Sequence, residues 1–183
     1  MRKNILKTGI IGIILIIFMI LIISSASADN NTENQNDVLS LSKGGLSIHY
    51  PATWGYSEST SNYSIMAISK LDSIDASKVS QININFEKKP LEGDFGTFLN
   101  DTYKALQSDT SFELVSSGNV VVGDKNGVEY IYSSNQTGIQ KEHKAVWFEK
   151  GGQAYVILYS APIEDFESNL YVMDYILSDI KIT

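Results

Sequence analysis

AVWFEKGGQAYVILYSAPIEDFESNLYVMDYILSDIKI, residues 145–182, holds two apolar runs that meet at Gly151-Gly152 and an amphipathic segment that begins near Pro162. Two such runs around a glycine pair predict a β-hairpin, here with strands over 140–150 and 153–160. Proline suits the first turn of a helix, and the apolar residues that follow recur at helical spacing. We therefore predict a hairpin followed by a helix that packs back on it. The apolar stripe of this helix comprises Ile163, Phe166, Leu170, Met173, Ile176 and Leu177.

The preceding part of the chain predicts more strands and one further helix. Segments 46–50, 63–69, 81–87, 112–122 and 127–133 have strand-like patterns, with a tight turn expected over 124–127. Segment 81–87 alternates without exception, so we expect Ile82, Ile84 and Phe86 to face the core and Asn83, Asn85 and Glu87 to face water. A helix is expected to open at Asp94, which is a suitable N-cap. Its apolar stripe would be Phe95, Phe98, Leu99, Thr102 and Leu106.

The predicted order of elements is β-β-β-α-β-β-β-β-α-β. Short turns between consecutive strands favour an antiparallel sheet, and helices set against such a sheet define the α+β class. The strand over 153–160 is apolar on both faces, so it should be central and covered twice. We therefore expect the two helices on opposite faces, which gives an α/β/α sandwich.

The first 28 residues have the layout of a secretory signal peptide. A basic start precedes an uncharged apolar run over 9–23, and Ala26-Ser27-Ala28 offers small residues for cleavage between Ala28 and Asp29. The alternative is an uncleaved N-terminal membrane anchor. Either way the domain lies outside the cytoplasm, secreted or tethered to the outer face of the membrane. Residues 29–40 are predicted to form a flexible polar leader, and 41–183 a single folded domain.

Charge and cysteine content narrow the class of protein. The chain has a net charge of −7, and removal of residues 1–28 leaves 11 basic and 21 acidic residues, a net charge of −10. An acidic domain repels phosphate backbones, which argues against nucleic-acid binding. The chain has no cysteine, so a secreted domain of this kind depends on its core for stability.

Four Asn-x-Ser/Thr sequons could accept N-linked sugars in an exported protein, although a sequence rich in Asn, Ser and Thr also produces such matches by chance. Their asparagines are Asn30, Asn62, Asn100 and Asn135.

Catalytic and metal-binding patterns are absent from the sequence. It contains no nucleophile elbow and no glycine-rich phosphate loop, and we expect its only histidines, His49 and His143, to be solvated. No His-x-His or Ca²⁺-loop spacing occurs, so no metal or cofactor is predicted, although scattered acids could bind Ca²⁺ loosely. The tyrosines at 130, 132, 155, 159, 171 and 175 could line a groove for sugar or peptide, but core packing is the simpler interpretation.

The sequence resembles the PsbP-like (Mog1/PsbP/DcrB) superfamily, in particular PsbP-related secreted proteins of methanogenic archaea. The resemblance covers 41–183 and is carried by Leu46-Ser47-Ile48-His49-Tyr50-Pro51 with Trp54, by 127–132, 154–157 and 159–162, and by Phe166 and 176–182. It implies an antiparallel sheet between helices. Members of the superfamily are mostly non-enzymatic accessory or binding proteins, among them an extrinsic photosystem II subunit and a nuclear-transport factor. No partner-binding motif of theirs matches here, so the resemblance implies no site residue.

Together these features lead us to expect an extracytoplasmic, non-enzymatic accessory or binding protein with an unknown envelope protein or ligand as its partner. Contact with a membrane would occur only through an uncleaved N-terminal segment. Two alternatives stay open: a secreted hydrolase with a carboxylate-based site, and a glycosylated structural protein of the cell envelope.

Overall fold

The computed structural model describes Ile20–Leu21 and residues 37–59, 61–135 and 138–183. Within these ranges two α-helices and a short 3₁₀ turn, Leu71–Ser73, accompany the strands. The helices are α1 (Phe95–Leu106) and α2 (Ile163–Asp179). The strands are β1 (Ile20–Leu21), β2 (Val38–Lys43), β3 (Leu46–Pro51), β4 (Trp54–Ser59), β5 (Ser64–Lys70), β6 (Asn83–Pro90), β7 (Glu113–Val122), β8 (Lys125–Asn135), β9 (Gln140–Lys150), β10 (Gln153–Pro162) and β11 (Lys181–Ile182).

The strands form an eight-stranded sheet in the order β1-β4-β5-β6-β10-β9-β8-β7 and a three-stranded sheet in the order β11-β3-β2. Every strand pairing described is antiparallel, and the predicted α+β class with a mostly antiparallel sheet is confirmed. The hairpin β9–β10 turns at Gly151-Gly152, where both glycines have positive φ. As its apolar pattern predicts, β10 is central, between β6 and β9.

The two faces of the eight-stranded sheet carry different apolar clusters. Val146, Phe148 and Ile157 belong to a cluster that includes the α2 residues Phe166, Met173 and Ile176. Their neighbours along the same strands belong to a second cluster with Leu99 and Tyr103 of α1. Because successive strand residues point to opposite faces, the two clusters draw on alternating residues of the same strands. The second cluster takes its sheet members from β8, β9 and β10, among them Tyr132, Ala145, Trp147, Ala154, Val156 and Leu158.

Several local predictions need correction. β2 begins at Val38, inside the range 29–40 that was expected to be a flexible leader, because Val38–Lys43 pairs with β3. β4 was not predicted, since its sequence WGYSES lacks an alternating apolar pattern. The tight turn after β7 lies at Gly123-Asp124, and β8 begins at Lys125. Gly123 fits there because its φ is +56° and a Cβ would meet the carbonyl oxygen of Ile180.

The predicted apolar stripe of α2 is confirmed in the middle of the helix and wrong at the start of the helix. Phe166, Met173, Ile176 and Leu177 are buried, whereas Ile163 in the first turn is exposed. The six tyrosines also separate instead of forming one groove. Tyr130 and Tyr132 lie with the α1 cluster, Tyr155 and Tyr159 lie in the α2 cluster, and Tyr171 and Tyr175 are exposed.

Of the predicted signal segment, residues 1–28, the described part is Ile20–Leu21, which pairs with Glu58 and Ser59 of β4. The cleavage position between Ala28 and Asp29 and the sequon at Asn30 lie outside the described residues. Neither helix in the described part of the chain has the length and apolarity needed to cross a membrane.

Candidate functional site

Strand β6 carries four polar side chains, Asn83, Asn85, Glu87 and Lys89, on the face opposite Ile84 and Phe86. We call these four the polar row. Each is at most 5% exposed, so the expectation that Asn83, Asn85 and Glu87 face water is wrong. The alternation of β6 was identified correctly, but β6 lies between β5 and β10, well inside the sheet. A strand inside a sheet need not have a solvent-exposed face, because other parts of the fold can cover both of its faces.

Hydrogen bonds link part of the polar row internally and to β5. The Asn85 side-chain amide donates to Glu87 Oε1 over 2.9 Å, and the Ser64 hydroxyl donates to Asn85 Oδ1 over 2.9 Å. The Asn83 amide donates to the Ser80 carbonyl oxygen at 3.4 Å. The side-chain amide of each asparagine therefore donates one hydrogen bond within the protein.

Two acceptor atoms of the polar row have no such partner. In the part of the chain that the structure describes, three buried side-chain nitrogen or oxygen atoms lack a hydrogen bond, and two of them are Asn83 Oδ1 and Glu87 Oε2. A buried acceptor left unsatisfied costs about 1–3 kcal/mol, and a charged one costs more. Asn83 Oδ1 thus has no hydrogen bond, and Glu87 Oε2 has only the ion pair with Lys89. Since Asn83 and Glu87 are four positions apart along the strand, the two side chains start about 13 Å apart.

Lys89 supplies the positive charge beside this carboxylate. Its Nζ lies 3.4 Å from Glu87 Oε2, an ionic contact without hydrogen-bond alignment. Burial lowers the pKa of Lys89, and the negative charge of Glu87 opposes that shift. The ammonium also lies 5.5 Å from the ring centroids of both Tyr63 and Trp147, which favours the charged form through cation–π attraction.

The surroundings of the polar row differ on its two sides. On β10 the residues opposite Asn85 and Glu87 are Leu158 and Val156, which belong to the apolar cluster under α1. On β5 the residues opposite Asn83 and Asn85 are the short side chains Ser69 and Ala67. The Ser69 hydroxyl lies 3.0 Å from that of Ser57 on β4, and both serines are buried. The buried polar zone therefore continues from β6 towards β4.

His143 of β9 lies on the same face, close to the Asn83 end of the row. Its Nδ1 is 2.8 Å from Ser160 Oγ, its Nε2 is 2.9 Å from Ser134 Oγ, and its ring stacks on Tyr132 at 4.8 Å. Burial, with a smaller contribution from the charge of Lys141, lowers the pKa of His143 to about 3. The expectation of a solvated His143 is wrong, because the charged sequence Lys-Glu-His-Lys gave no sign that β9 is an interior strand.

A hydroxyl–imidazole contact such as Ser160–His143 is one requirement of nucleophilic catalysis. Catalysis also needs an imidazole that accepts a proton near neutral pH, usually one oriented by a carboxylate. His143 has a strongly lowered pKa, and its second nitrogen meets the hydroxyl of Ser134. This arrangement fits a neutral structural histidine whose ring nitrogens are both hydrogen-bonded.

With this geometry established, the chain can be compared with known proteins. No protein-family model matches it, and no curated protein is significantly similar to it in sequence. The solution structure of cyanobacterial PsbP (CyanoP) from Synechocystis superimposes with a TM-score of 0.58 at 11% identity, covering 86% of this chain and 99% of that chain. The chain has the PsbP-like fold.

A second solved structure has a PsbP-like arrangement similar to that of this chain. It is LpqN of Mycobacterium tuberculosis, described as involved in cell envelope biogenesis, with a TM-score of 0.57 at 14% identity, covering 80% of this chain and 91% of that one. At these identities the likeness concerns the fold. The predicted resemblance to the PsbP-like superfamily is confirmed at that level.

Several residues that carry the family resemblance lie on β3 and at the start of β4. Leu46, Ile48 and Tyr50 point into the core from β3, and Trp54 is fully buried at the start of β4. His49, on the opposite face of β3, has its Nδ1 2.5 Å from Asp179 Oδ2 at the end of α2. Its position away from the core was predicted, and its bond to the end of α2 was not.

The remaining predicted site residues lie apart from the polar row. Asn62 and Asn100 are exposed, and Asn135 is exposed at the end of β8 with part of its sequon outside the described residues. Within residues 37–59, 61–135 and 138–183, no three acidic or histidine side chains come together as metal ligands would. The scattered acids instead serve local roles, as when Asp94 caps α1 by accepting from the Thr97 amide at 2.9 Å.

Proposed function

We propose that the chain is an extracytoplasmic, non-enzymatic binding protein that encloses a small polar ligand at the polar row. The observation that carries this proposal is the pair of buried acceptors, Asn83 Oδ1 and Glu87 Oε2, that receive no hydrogen bond within the described residues. A ligand with N–H or O–H donors would give Asn83 Oδ1 the partner it lacks and would add a hydrogen bond to Glu87 Oε2, whose partner is otherwise Lys89. Because the row is almost fully buried, the ligand would be small or slender.

The chemistry of the row favours binding over catalysis. The Glu87 carboxylate is held by the amide of Asn85 and the ammonium of Lys89, which fixes its orientation. His143, the ionisable ring on this face, stays neutral because burial lowers its pKa to about 3. Fixed acceptors with a neutral imidazole are suited to holding a ligand in place.

The fold and the N-terminus support an extracytoplasmic accessory role. In the α/β/α sandwich that we propose, α1 and α2 cover opposite faces of the sheet. The polar row lies on β6, near the middle of that sheet. CyanoP is a PsbP protein, and LpqN is described as involved in cell envelope biogenesis. A basic start, an apolar run and Ala26-Ser27-Ala28 are the features of an export signal.

The test of ligand binding uses protein purified gently from its own host. Its small molecules are released by denaturation and compared by mass spectrometry with those released by the Glu87→Gln variant and by Glu149→Gln, which changes an exposed glutamate of β9. We expect a compound with hydrogen-bond donors in wild type and Glu149→Gln, reduced at least about tenfold in Glu87→Gln, because an amide replaces one anionic acceptor with a donor. Equal amounts in all three samples, or no compound in any, would refute the site.

The location is tested separately by the intact mass of the same preparation. Cleavage of the signal predicts a chain that begins at Asp29, whereas a full-length mass supports the membrane anchor. Sugar increments that disappear in Asn62→Gln or Asn100→Gln would show that these exposed sequons are occupied. A full-length chain recovered from the cytoplasm would contradict the extracytoplasmic proposal.

A further inference from the structure

The ammonium of Lys89 lies among three side chains that together surround a cation. Its Nζ is 5.5 Å from the ring centroids of both Tyr63 and Trp147 and 3.4 Å from Glu87 Oε2. We call Glu87, Tyr63 and Trp147 the ammonium cage. Aromatic faces around a positive charge are the surroundings in which proteins recognise ammonium ligands.

Two members of the ammonium cage are held in place, and the third borders solvent. Trp147 is 2% exposed, and its Nε1 donates to the Tyr103 hydroxyl at 3.0 Å. The Asn85 amide holds Glu87 through Oε1, whereas Oε2 receives no hydrogen bond within the described residues. Tyr63 is 41% exposed. The cage is therefore preformed, and it can be reached from the side of Tyr63.

Lys89 fills the ammonium cage without completing it. It follows Glu87 by two residues on the same face of β6, and its ammonium makes an ionic contact with Oε2 but no hydrogen bond. A charge-assisted N–H···O bond is shorter, about 2.7–2.9 Å, and roughly twice as strong as a neutral one. Burial also lowers the pKa of Lys89, because its ammonium has lost water. An ammonium that is not tethered to β6 can approach Oε2 more closely, while Lys89 regains its water outside.

We propose that the ligand of the polar row is a primary alkylammonium compound whose ammonium takes the place of Lys89 in the ammonium cage. This inference rests on the proposed binding function and adds the chemical class of the ligand. The ligand donates N–H groups to Glu87 Oε2 and sets its charge against Tyr63 and Trp147, while Lys89 turns out past Tyr63. A quaternary ammonium has no N–H donor, so the site favours a primary one. The net charge of the chain, −7, attracts such a cation.

The exchange is tested by supplying the ammonium that Lys89→Ala removes. We use n-butylammonium as the probe, at constant ionic strength, on protein dialysed free of small molecules. It should raise the melting temperature of Lys89→Ala saturably, because it binds the folded state. It should bind the wild type at least about tenfold more weakly, because Lys89 competes for the same place. Tetramethylammonium should bind Lys89→Ala at least about tenfold more weakly than n-butylammonium does, because it cannot donate to Glu87.

Two further variants serve as controls. Lys125→Ala removes an ammonium from an exposed pair with Asp124 and should respond to n-butylammonium as the wild type does. The double variant Glu87→Gln with Lys89→Ala keeps the vacated space but lacks the carboxylate, so the stabilisation by n-butylammonium should be lost. If Lys89→Ala does not fold, binding is measured on the wild type by NMR, where n-butylammonium should shift the Trp147 indole N–H signal and sodium should not.

Equal stabilisation of Lys89→Ala and of the double variant would overturn the proposal. So would a wild-type protein to which n-butylammonium does not bind. The proposed binding function is refuted by a different result, the absence of any compound that depends on Glu87 in protein from the host. If such a compound is released and contains no amine, the polar row remains a ligand site and the alkylammonium assignment alone is wrong.

Discussion

At the scale of single residues, the buried side chain of His143 makes the stability of the folded chain depend on pH. His143 is neutral in the folded protein because burial lowers its pKa to about 3, whereas the same group in the unfolded chain titrates near 6.5. The unfolded chain therefore takes up a proton that the folded chain excludes. The resulting stabilisation is fully present above pH 6.5 and is lost as the pH falls from there towards 3.

We predict that the contribution of His143 to the free energy of unfolding falls by about 2 kcal/mol between pH 7 and pH 5. Urea unfolding at several pH values measures the slope. His143→Gln keeps a donor and an acceptor for Ser134 and Ser160 but does not titrate. The number of protons that this variant takes up on unfolding, which sets the pH slope of the free energy of unfolding, should therefore be smaller by nearly one over this range. An unchanged slope in this variant would contradict the buried, neutral state of His143.

Glu87 and Lys89 should be strongly coupled. Lys89→Met leaves a carboxylate that is 1% exposed without its opposite charge, and we expect a loss of about 3–5 kcal/mol of unfolding free energy. The double variant Glu87→Gln with Lys89→Met removes both charges and should regain a large part of that loss. A double-mutant cycle by urea unfolding measures the coupling. Additive effects would show that the two charges do not act as a pair.

At the scale of elements, α2 is held by side chains that its sequence identifies and by others that it does not. Phe166 is 1% exposed and contacts Tyr159 of β10, whose hydroxyl donates to the Phe166 carbonyl oxygen at 2.8 Å. Asn169 is also buried, and its amide donates to the carbonyl oxygen of Asp165 one turn earlier. The buried face of α2 is therefore wider than its apolar stripe.

Phe166→Ala should lower the free energy of unfolding by about 3–5 kcal/mol, because it leaves a cavity between α2 and β10. Tyr171→Ala, on the exposed face of the same helix, should change it by less than about 0.5 kcal/mol. Thermal or urea unfolding of the two variants gives the comparison. Similar effects in both would mean that α2 does not pack on the sheet through Phe166.

The hairpin, the second helix and the central position of β10 could be predicted because each depends on a local pattern or on composition. β10 is apolar on both faces, and that fact alone places it inside the sheet. The interior position of β6 could not be predicted in this way. Its alternation of Ile84 and Phe86 with Asn83 and Asn85 is the pattern of a half-exposed strand, and only the neighbouring β5 and β10 make it interior.

For the same reason most of the candidate site was missed. The polar row, Ser57, Ser69 and His143 come from separate parts of the chain, and their burial is a property of the assembled sheet. One signal was available: Lys89 continues the alternation of Asn83, Asn85 and Glu87 beyond the predicted end of the strand at 87. A longer β6 with four polar residues on one face of a central strand would have indicated an internal polar site.

At the scale of the whole molecule, the mostly antiparallel sheet of this PsbP-like fold places a buried polar row on β6, between β5 and β10. Each side chain of the row is at most 5% exposed, so a ligand bound there, as we propose, would be small or slender. Three strands, β10, β9 and β8, separate β6 from β7 at the end of the sheet.

The most direct test of the central claim is an experimental density map of the protein purified from its own host. The proposed binding function predicts non-protein density within hydrogen-bond distance, about 2.7–3.2 Å, of Asn83 Oδ1 and Glu87 Oε2. The shape of that density would be larger than a water molecule and would disappear in Glu87→Gln. Two acceptors that are satisfied by protein groups or by single waters would contradict the claim that the polar row is a ligand site.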